Sequence, residues 1–190
     1  MIFWIFVAFV ITQRLIELVL ANRNEKWILS QGGYEVGQRH YKYIVFLHIL
    51  FFVSLLIEVV YFNKELSSYY PILFLLFVLT QLGRGWVLFS LGKYWNTKIM
   101  ILPQGQVQVK GPYRYFKHPN YLIVACEFVV IPLLFQAYIT AVVFSLLNLV
   151  IMSVRIPIEE RALGVHEEYR QLGMERHRIF PYYIRSLKKN

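Results

Sequence analysis

The chain has 190 residues, of which 57% are hydrophobic and only 16% charged, with twenty Lys and Arg against eleven Asp and Glu. A soluble domain carries about 25% charged and about 45–50% apolar residues, so the balance excludes a disordered chain or an ordinary cytosolic globule and indicates a membrane protein. The single cysteine, Cys126 within an apolar run, also excludes an internal disulfide scaffold, and no Cys/His spacing suggests a metal site.

The apolar run at residues 2–11 lacks a preceding basic region or a small-residue cleavage site, so it reads as a retained membrane helix over 2–20 rather than a signal peptide. Further spans of about 20 residues fall at 43–62 and 69–91. The stretch 121–156 is too long for one crossing at about 1.5 Å per residue and is expected to fold back near Gln136-Ala137-Tyr138. The fold class expected is an all-α integral membrane protein of about five transmembrane helices, forming one domain over 1–190. Seventeen of the twenty basic residues lie in 21–42, 92–120 and 155–190, whereas the opposite connections hold only Lys64. The positive-inside rule then sets the N-terminus outside the cell membrane and these segments in the cytoplasm. The excess charge is accounted for by topology and membrane lipid, and nucleic acid is not expected as a partner.

Polar residues inside spans are expensive and informative. Arg14, Glu17, His48, Gln81, Arg84 and Asn148 fall in the inner halves of their helices and are expected to form the polar floor of a cavity open to the cytoplasm. Arg14 and Glu17, at i and i+3, are also placed to satisfy each other. Glu58 and Glu127 lie nearer the outer side or the middle, and the sequence assigns them no role.

Residues 92–120 carry turn signals at Asn96-Thr97, Pro103-Gln104-Gly105 and Gly111-Pro112, with a short alternating strand expected over Gln106-Val107-Gln108-Val109. The segment ends in Gly111-Pro112-Tyr113-Arg114-Tyr115-Phe116-Lys117-His118-Pro119-Asn120-Tyr121. Pro119 excludes helix at His118 and suits the first turn of a helix beginning there. Such an N-terminus presents free N–H groups to an anionic ligand, although aromatic and basic residues at this depth also serve as plain interfacial anchors. The last span runs out into Arg155-Ile156-Pro157-Ile158-Glu159-Glu160-Arg161-Ala162-Leu163. If helix continues through Pro157, Arg155 and Glu159 share one face, either as a surface ion pair or at the mouth of the cavity. A charged helix through Glu167-Glu168-Tyr169-Arg170 and the closing Arg178-Ile179-Phe180-Pro181 complete the chain.

These two stretches, in this order around a membrane hairpin, resemble the isoprenylcysteine carboxyl methyltransferase family over about residues 92–185. The sequence departs from the family's pattern at Lys117, where the family usually has Arg, and in a shorter Leu163–Tyr169 interval without Phe-Gly. The resemblance implies an integral membrane methyltransferase using S-adenosylmethionine (SAM), its cofactor part at 92–190 following the spans of 1–91. It implies that Gln106, Val107, Gln108, Tyr113, His118, Pro119, Asn120 and Tyr121 line the cofactor, that Glu159 contacts it, and that Arg155 faces the substrate, with Arg178 as a further substrate-side residue. Arg155 and Glu159 are thus the catalytic pair. Acceptors in such families are lipophilic or lipidated: a prenylated carboxylate, or in one bacterial branch long-chain polyketide products such as alkylpyrones. Two other readings stay open: an NADPH-dependent membrane reductase of the sterol-reductase type, and a non-catalytic bundle that binds lipid or a partner protein. The oligomeric state is not legible.

Overall fold

The computed structural model describes residues 1–103, 105 and 108–165. Among the described residues five α-helices follow in order: α1 (Ile2–Ser30), α2 (Gln38–Tyr61), α3 (Tyr70–Leu91), α4 (Pro119–Leu134) and α5 (Tyr138–Leu163). α1, α2, α3 and α5 are long and apolar enough to cross a membrane, and α4 is a shorter apolar helix. The protein is a multi-pass membrane protein. Large side chains such as Leu79, Phe89, Val142 and Leu149 point outward, as expected of faces solvated by lipid rather than water.

The expected fourth span is present as α4, the shortest of the five apolar helices. At 16 residues, α4 covers about 24 Å, short of the hydrocarbon thickness of about 30 Å. It begins at Pro119, with His118 as N-cap, as the His-Pro pair requires. The fold-back falls at 135–137. There Gln136 takes a positive φ of 55° and the Ala137 N–H reaches the Pro132 carbonyl at 2.9 Å. α5 then overshoots α4 by about ten residues. Its last turns, continuing through Pro157, stand beside the N-terminus of α4.

Aromatic rings fill the bundle centre. Phe51 of α2 sits edge-on to Phe128 of α4 at 4.7 Å and to Phe144 of α5 at 5.6 Å, distances at which ring quadrupoles attract. Glu58, left without a role by the sequence, caps α5: its carboxylate accepts from the Ile139 and Thr140 N–H groups at 3.1 and 2.7 Å and from the Thr140 hydroxyl. A carboxylate at a helix N-terminus meets both orphan donors and the positive end of the dipole.

The expected polar floor is not what the in-span polar residues build. Arg14, Glu17, Gln81 and Arg84 close on one another around Glu127. Arg14 reaches Glu17 and Glu127 at 2.7 Å each, Arg84 bonds Glu127 and lies 3.1 Å from Glu17, and Gln81 donates to Glu127 at 2.8 Å. Two cations and two carboxylates make the cluster neutral, which is how charge survives in a membrane interior. His48 bonds the Ile44 carbonyl one turn back, and Asn148 is buried on α5. None of the six lines the large cavity.

At the other end of the bundle, α1 continues to Ser30 instead of stopping at 20. The stretch Asn22-Arg23-Asn24-Glu25, expected in a connection, is helical. Asn24 donates to the carbonyls of Trp95 and Gly92, Asn96 donates to that of Ala21, and Lys98 pairs with Glu25 at 2.7 Å and Glu35 at 3.4 Å. A two-stranded antiparallel ladder, β1 (Tyr34–Val36) with β2 (Ile99–Ile101), adds backbone hydrogen bonds. The strand expected at 106–109 is not formed at Gln108 and Val109, while Gln106 and Val107 lie outside the described residues.

Candidate active site

A cavity of about 200 Å³ opens between these upstream clamps and the α4–α5 pair. Its floor comes from the start of α4 and the end of α5. Because α4 starts at Pro119, His118 and Tyr121 lie one turn apart, and their rings stack at 5.2 Å with 15° between planes. Arg155, buried on α5, donates from Nε to the Tyr121 hydroxyl at 2.7 Å and from Nη2 to the Thr97 carbonyl at 2.6 Å. Tyr121 in turn donates to the Glu159 carboxylate. Arg155 and Glu159 do share a helical face, but they stand 3.9 Å apart with the phenol hydroxyl linking them. The result is a relay from Thr97 through Arg155 and Tyr121 to Glu159.

Histidine 118 is buried with its Nδ1 3.7 Å from Glu159 and its Nε2 3.4 Å from Glu160. Imidazole and both carboxylates therefore face one another across the gap between the two helices. Tyr113 is carried into the wall by a 3-10 turn at Gly111–Arg114. Burial, aided by the negative charge of Glu159, pushes its phenol well above the usual tyrosine range, so Tyr113 stays neutral there. Gly111 holds φ at +55°, and a Cβ would run into Ser90 and the Trp86 ring. Only glycine permits that approach.

Of the residues expected at the site, Gln108, Tyr113, His118, Asn120, Tyr121, Arg155 and Glu159 all line this cavity. Pro119 does not; it is buried as the first residue of α4. Gln106, Val107 and Arg178 lie outside the described residues. Lys117 lines the cavity as well. The sequence reading missed the upstream wall: Trp95, Asn96, Lys98 and Met100. A signal existed in the Trp95-Asn96-Thr97 triplet after Gly92, which the turn reading used only as punctuation.

Residues 71–165, from the start of α3 through the end of α5, match the isoprenylcysteine carboxyl methyltransferase (ICMT) family. The chain belongs to that family. It is thus a membrane protein of a methyltransferase family, and the matched half contains the whole relay from Thr97 to Glu159. The chain is also similar to the uncharacterized protein YpbQ of Bacillus subtilis, 47% identical over 161 residues that cover 85% of this chain and 96% of that one. A Haemophilus influenzae protein, likewise described as uncharacterized, is 30% identical over 83% of this chain and 92% of its own. Upstream of the match, α1 contributes Ile28 to the cavity wall.

Proposed function

We propose that the protein is a SAM-dependent membrane O-methyltransferase whose acceptor is a lipophilic molecule presenting an anionic oxygen, either a carboxylate or an acidic enol. The reading rests on one observation: in a chain of the ICMT family, a buried guanidinium and a carboxylate one helical turn apart face a single cavity, each held by the same tyrosine. The donor set fits SAM. A carboxylate suits its cationic centres, aromatic faces such as Tyr113 and Tyr121 suit a sulfonium, and Trp95 and Ile99 wall off water.

In this reading Glu159 holds the positively charged methyl donor, with His118, Tyr113, Asn120 and Tyr121 around it; Gln106, Val107 and Gln108 add contacts from the preceding segment. When bound, SAM supplies an electrophilic methyl carbon: its bond to sulfur breaks with the electron pair staying on sulfur, while an acceptor oxygen lone pair forms the new C–O bond. An oxygen that arrives as an anion has no proton to lose, so no general base is required. Arg155 neutralises and orients that oxygen, assisted from the tail by Arg178, and Tyr121 keeps Arg155 and Glu159 in register. Catalysis is then positioning in a site shielded from water. The positive-inside balance puts this cavity on the cytoplasmic face of the cell membrane, with acceptors drawn from the bilayer. An alkylpyrone-like polyketide or an isoprenylcysteine-like carboxylate are the acceptor types to assay first.

Titration of the detergent-purified protein with SAM, S-adenosylhomocysteine and NADPH tests the reading. Binding of the first two supports it; preference for NADPH points to the reductase chemistry, and binding of none to a non-catalytic bundle. Labelled SAM with an alkylpyrone or a prenylcysteine then assigns the acceptor, and absence of a methyl ether or ester removes that candidate. Arg155→Ala is expected to spare SAM binding and depress turnover by about 10–100-fold, the worth of a charge-assisted hydrogen bond. Glu159→Ala is expected to weaken SAM binding first. Equal loss of both properties in both variants contradicts the division of roles.

A further inference from the structure

Most polar groups in the cavity wall are already committed. Arg155, Tyr121 and Glu159 bond one another, Asn96 bonds Ala21 and Lys98 through its two amide ends, and Lys98 is paired with Glu25 and Glu35. Two atoms stand apart. The indole Nε1–H of Trp95 is a donor and the Oδ1 of Asn120 an acceptor; both are buried from water and have no hydrogen-bond partner among the described residues. Both residues line the cavity. Trp95 is 2% exposed and belongs to a buried apolar cluster with Ala21 and Val87, against which Tyr113 and Ile123 pack. The donor and the acceptor thus belong to the lining of one and the same cavity.

The backbone of Trp95 is pinned independently of its ring, its carbonyl by Asn24 at 2.8 Å and its N–H by Gly92 at 3.1 Å. The indole is thereby held where the protein offers its N–H nothing. A buried donor and a buried acceptor left unmade each cost the desolvation of that group, and such exceptions in native structures ask for an explanation. Opposite, uncharged hydrogen-bonding characters set among apolar and aromatic neighbours complement a neutral flat heterocycle. They do not suit the charged amino-acid end of the methyl donor. An anionic acceptor oxygen has no hydrogen to give Asn120.

We infer that Trp95 and Asn120 read the adenine edge of the methyl donor: the Trp95 Nε1–H donates to ring nitrogen N1, and Asn120 Oδ1 accepts from the exocyclic 6-amine beside it. The inference rests on the methyltransferase reading above and adds to it a base-recognition role for Trp95 from outside the His118–Tyr121 run. The base enters between the indole and the first turns of α4, and its edge satisfies both groups at once.

The test compares S-adenosylhomocysteine with S-inosylhomocysteine, in which oxygen replaces the 6-amino group and N1 carries a hydrogen, reversing the edge. Calorimetric titration of the full chain in detergent is expected to show a preference of about tenfold or more for the adenine compound, because the inosine edge leaves both protein groups unpaired. Trp95→Phe, which keeps a ring but loses the N–H, and Asn120→Leu, which loses the acceptor at similar volume, are each expected to shrink that preference. A change in packing alone would weaken both ligands alike and leave the ratio intact. The inference is overturned if the unaltered chain binds both compounds within about threefold of each other, a comparison that needs no variant to fold. It is overturned too if either folded variant keeps the full preference. Binding of neither compound removes the methyl-donor reading itself, and the inference with it.

Discussion

Glutamate 127 is the carboxylate at the centre of the in-span polar cluster, and replacing it by glutamine tests whether that cluster is architecture or chemistry. Its side chain is 7% exposed, against 4% for Arg84, 10% for Glu17 and 19% for Arg14. Glu127→Gln leaves two guanidinium groups facing Glu17 alone. Breaking a buried pair by removing one partner costs about 3–5 kcal/mol. For a chain of this size each kcal/mol moves the melting temperature by about 2–4 °C, so a fall of about 6–20 °C is expected. Adding Arg14→Met restores neutrality, since Arg84 and Glu17 remain 3.1 Å apart; the double variant is expected to recover about 0.5–3 kcal/mol of coupling. Thermal unfolding in one detergent, followed by tryptophan fluorescence, reads all three proteins. None of the four charged residues lines the large cavity, so the affinity of the folded variants for S-adenosylhomocysteine is expected to be unchanged. A melting temperature within about 2 °C of the parent, or a collapse of binding at unchanged stability, refutes the argument.

Glu58→Ala removes a carboxylate that holds two backbone N–H groups at the start of α5 and is expected to cost about 1–3 kcal/mol, whereas Glu58→Gln, which keeps an acceptor, costs less; unfolding temperatures separate them. Gly111→Ala forces a Cβ into Ser90 and the Trp86 ring at a positive φ. It is expected to displace Tyr113 and to lower S-adenosylhomocysteine affinity more than it lowers the melting temperature; unchanged affinity counts against the role of that turn. Hydrogen bonding and charge from Glu25 and Glu35 raise the Lys98 ammonium above its ordinary 10.5, and burial raises the Tyr113 phenol above 10.0. A raised folded value means that each contribution is intact below the unfolded pKa and is lost as pH climbs toward the folded one. Stability is therefore expected to fall from about pH 10 upward. Lys98→Met is expected to flatten that decline, as followed by melting temperature against pH; an unchanged slope refutes the pairing.

The site was legible where local chemistry leaves the backbone no choice. Pro119 cannot sit beyond the first turn of a helix without loss, so His118-Pro119 fixes where α4 begins. Arg155 and Glu159 share a face of any helix that survives Pro157. What the linear pattern could not hold was partner choice across elements. Glu127 looked isolated because Arg14 lies 113 residues away and Arg84 43 residues away. Glu58 likewise finds its partners 81 and 82 residues on. Depth along a span reveals that a polar group is expensive without revealing whether another helix or a ligand meets it.

Composition alone determined the solvent: with this share of apolar residues, and outward faces of leucine, isoleucine, valine and phenylalanine, the chain can bury itself only in lipid, and its hydrophobic runs dictate helices because a bilayer satisfies no stray backbone group. Tertiary structure decided which polar side chains neutralise one another and which are left facing a hollow. That choice depends on the relative lengths of α4 and α5 and on the extension of α1 to Ser30. Those overhangs bring the Thr97 carbonyl against Arg155, 58 residues away on α5, and no local propensity encodes such a meeting.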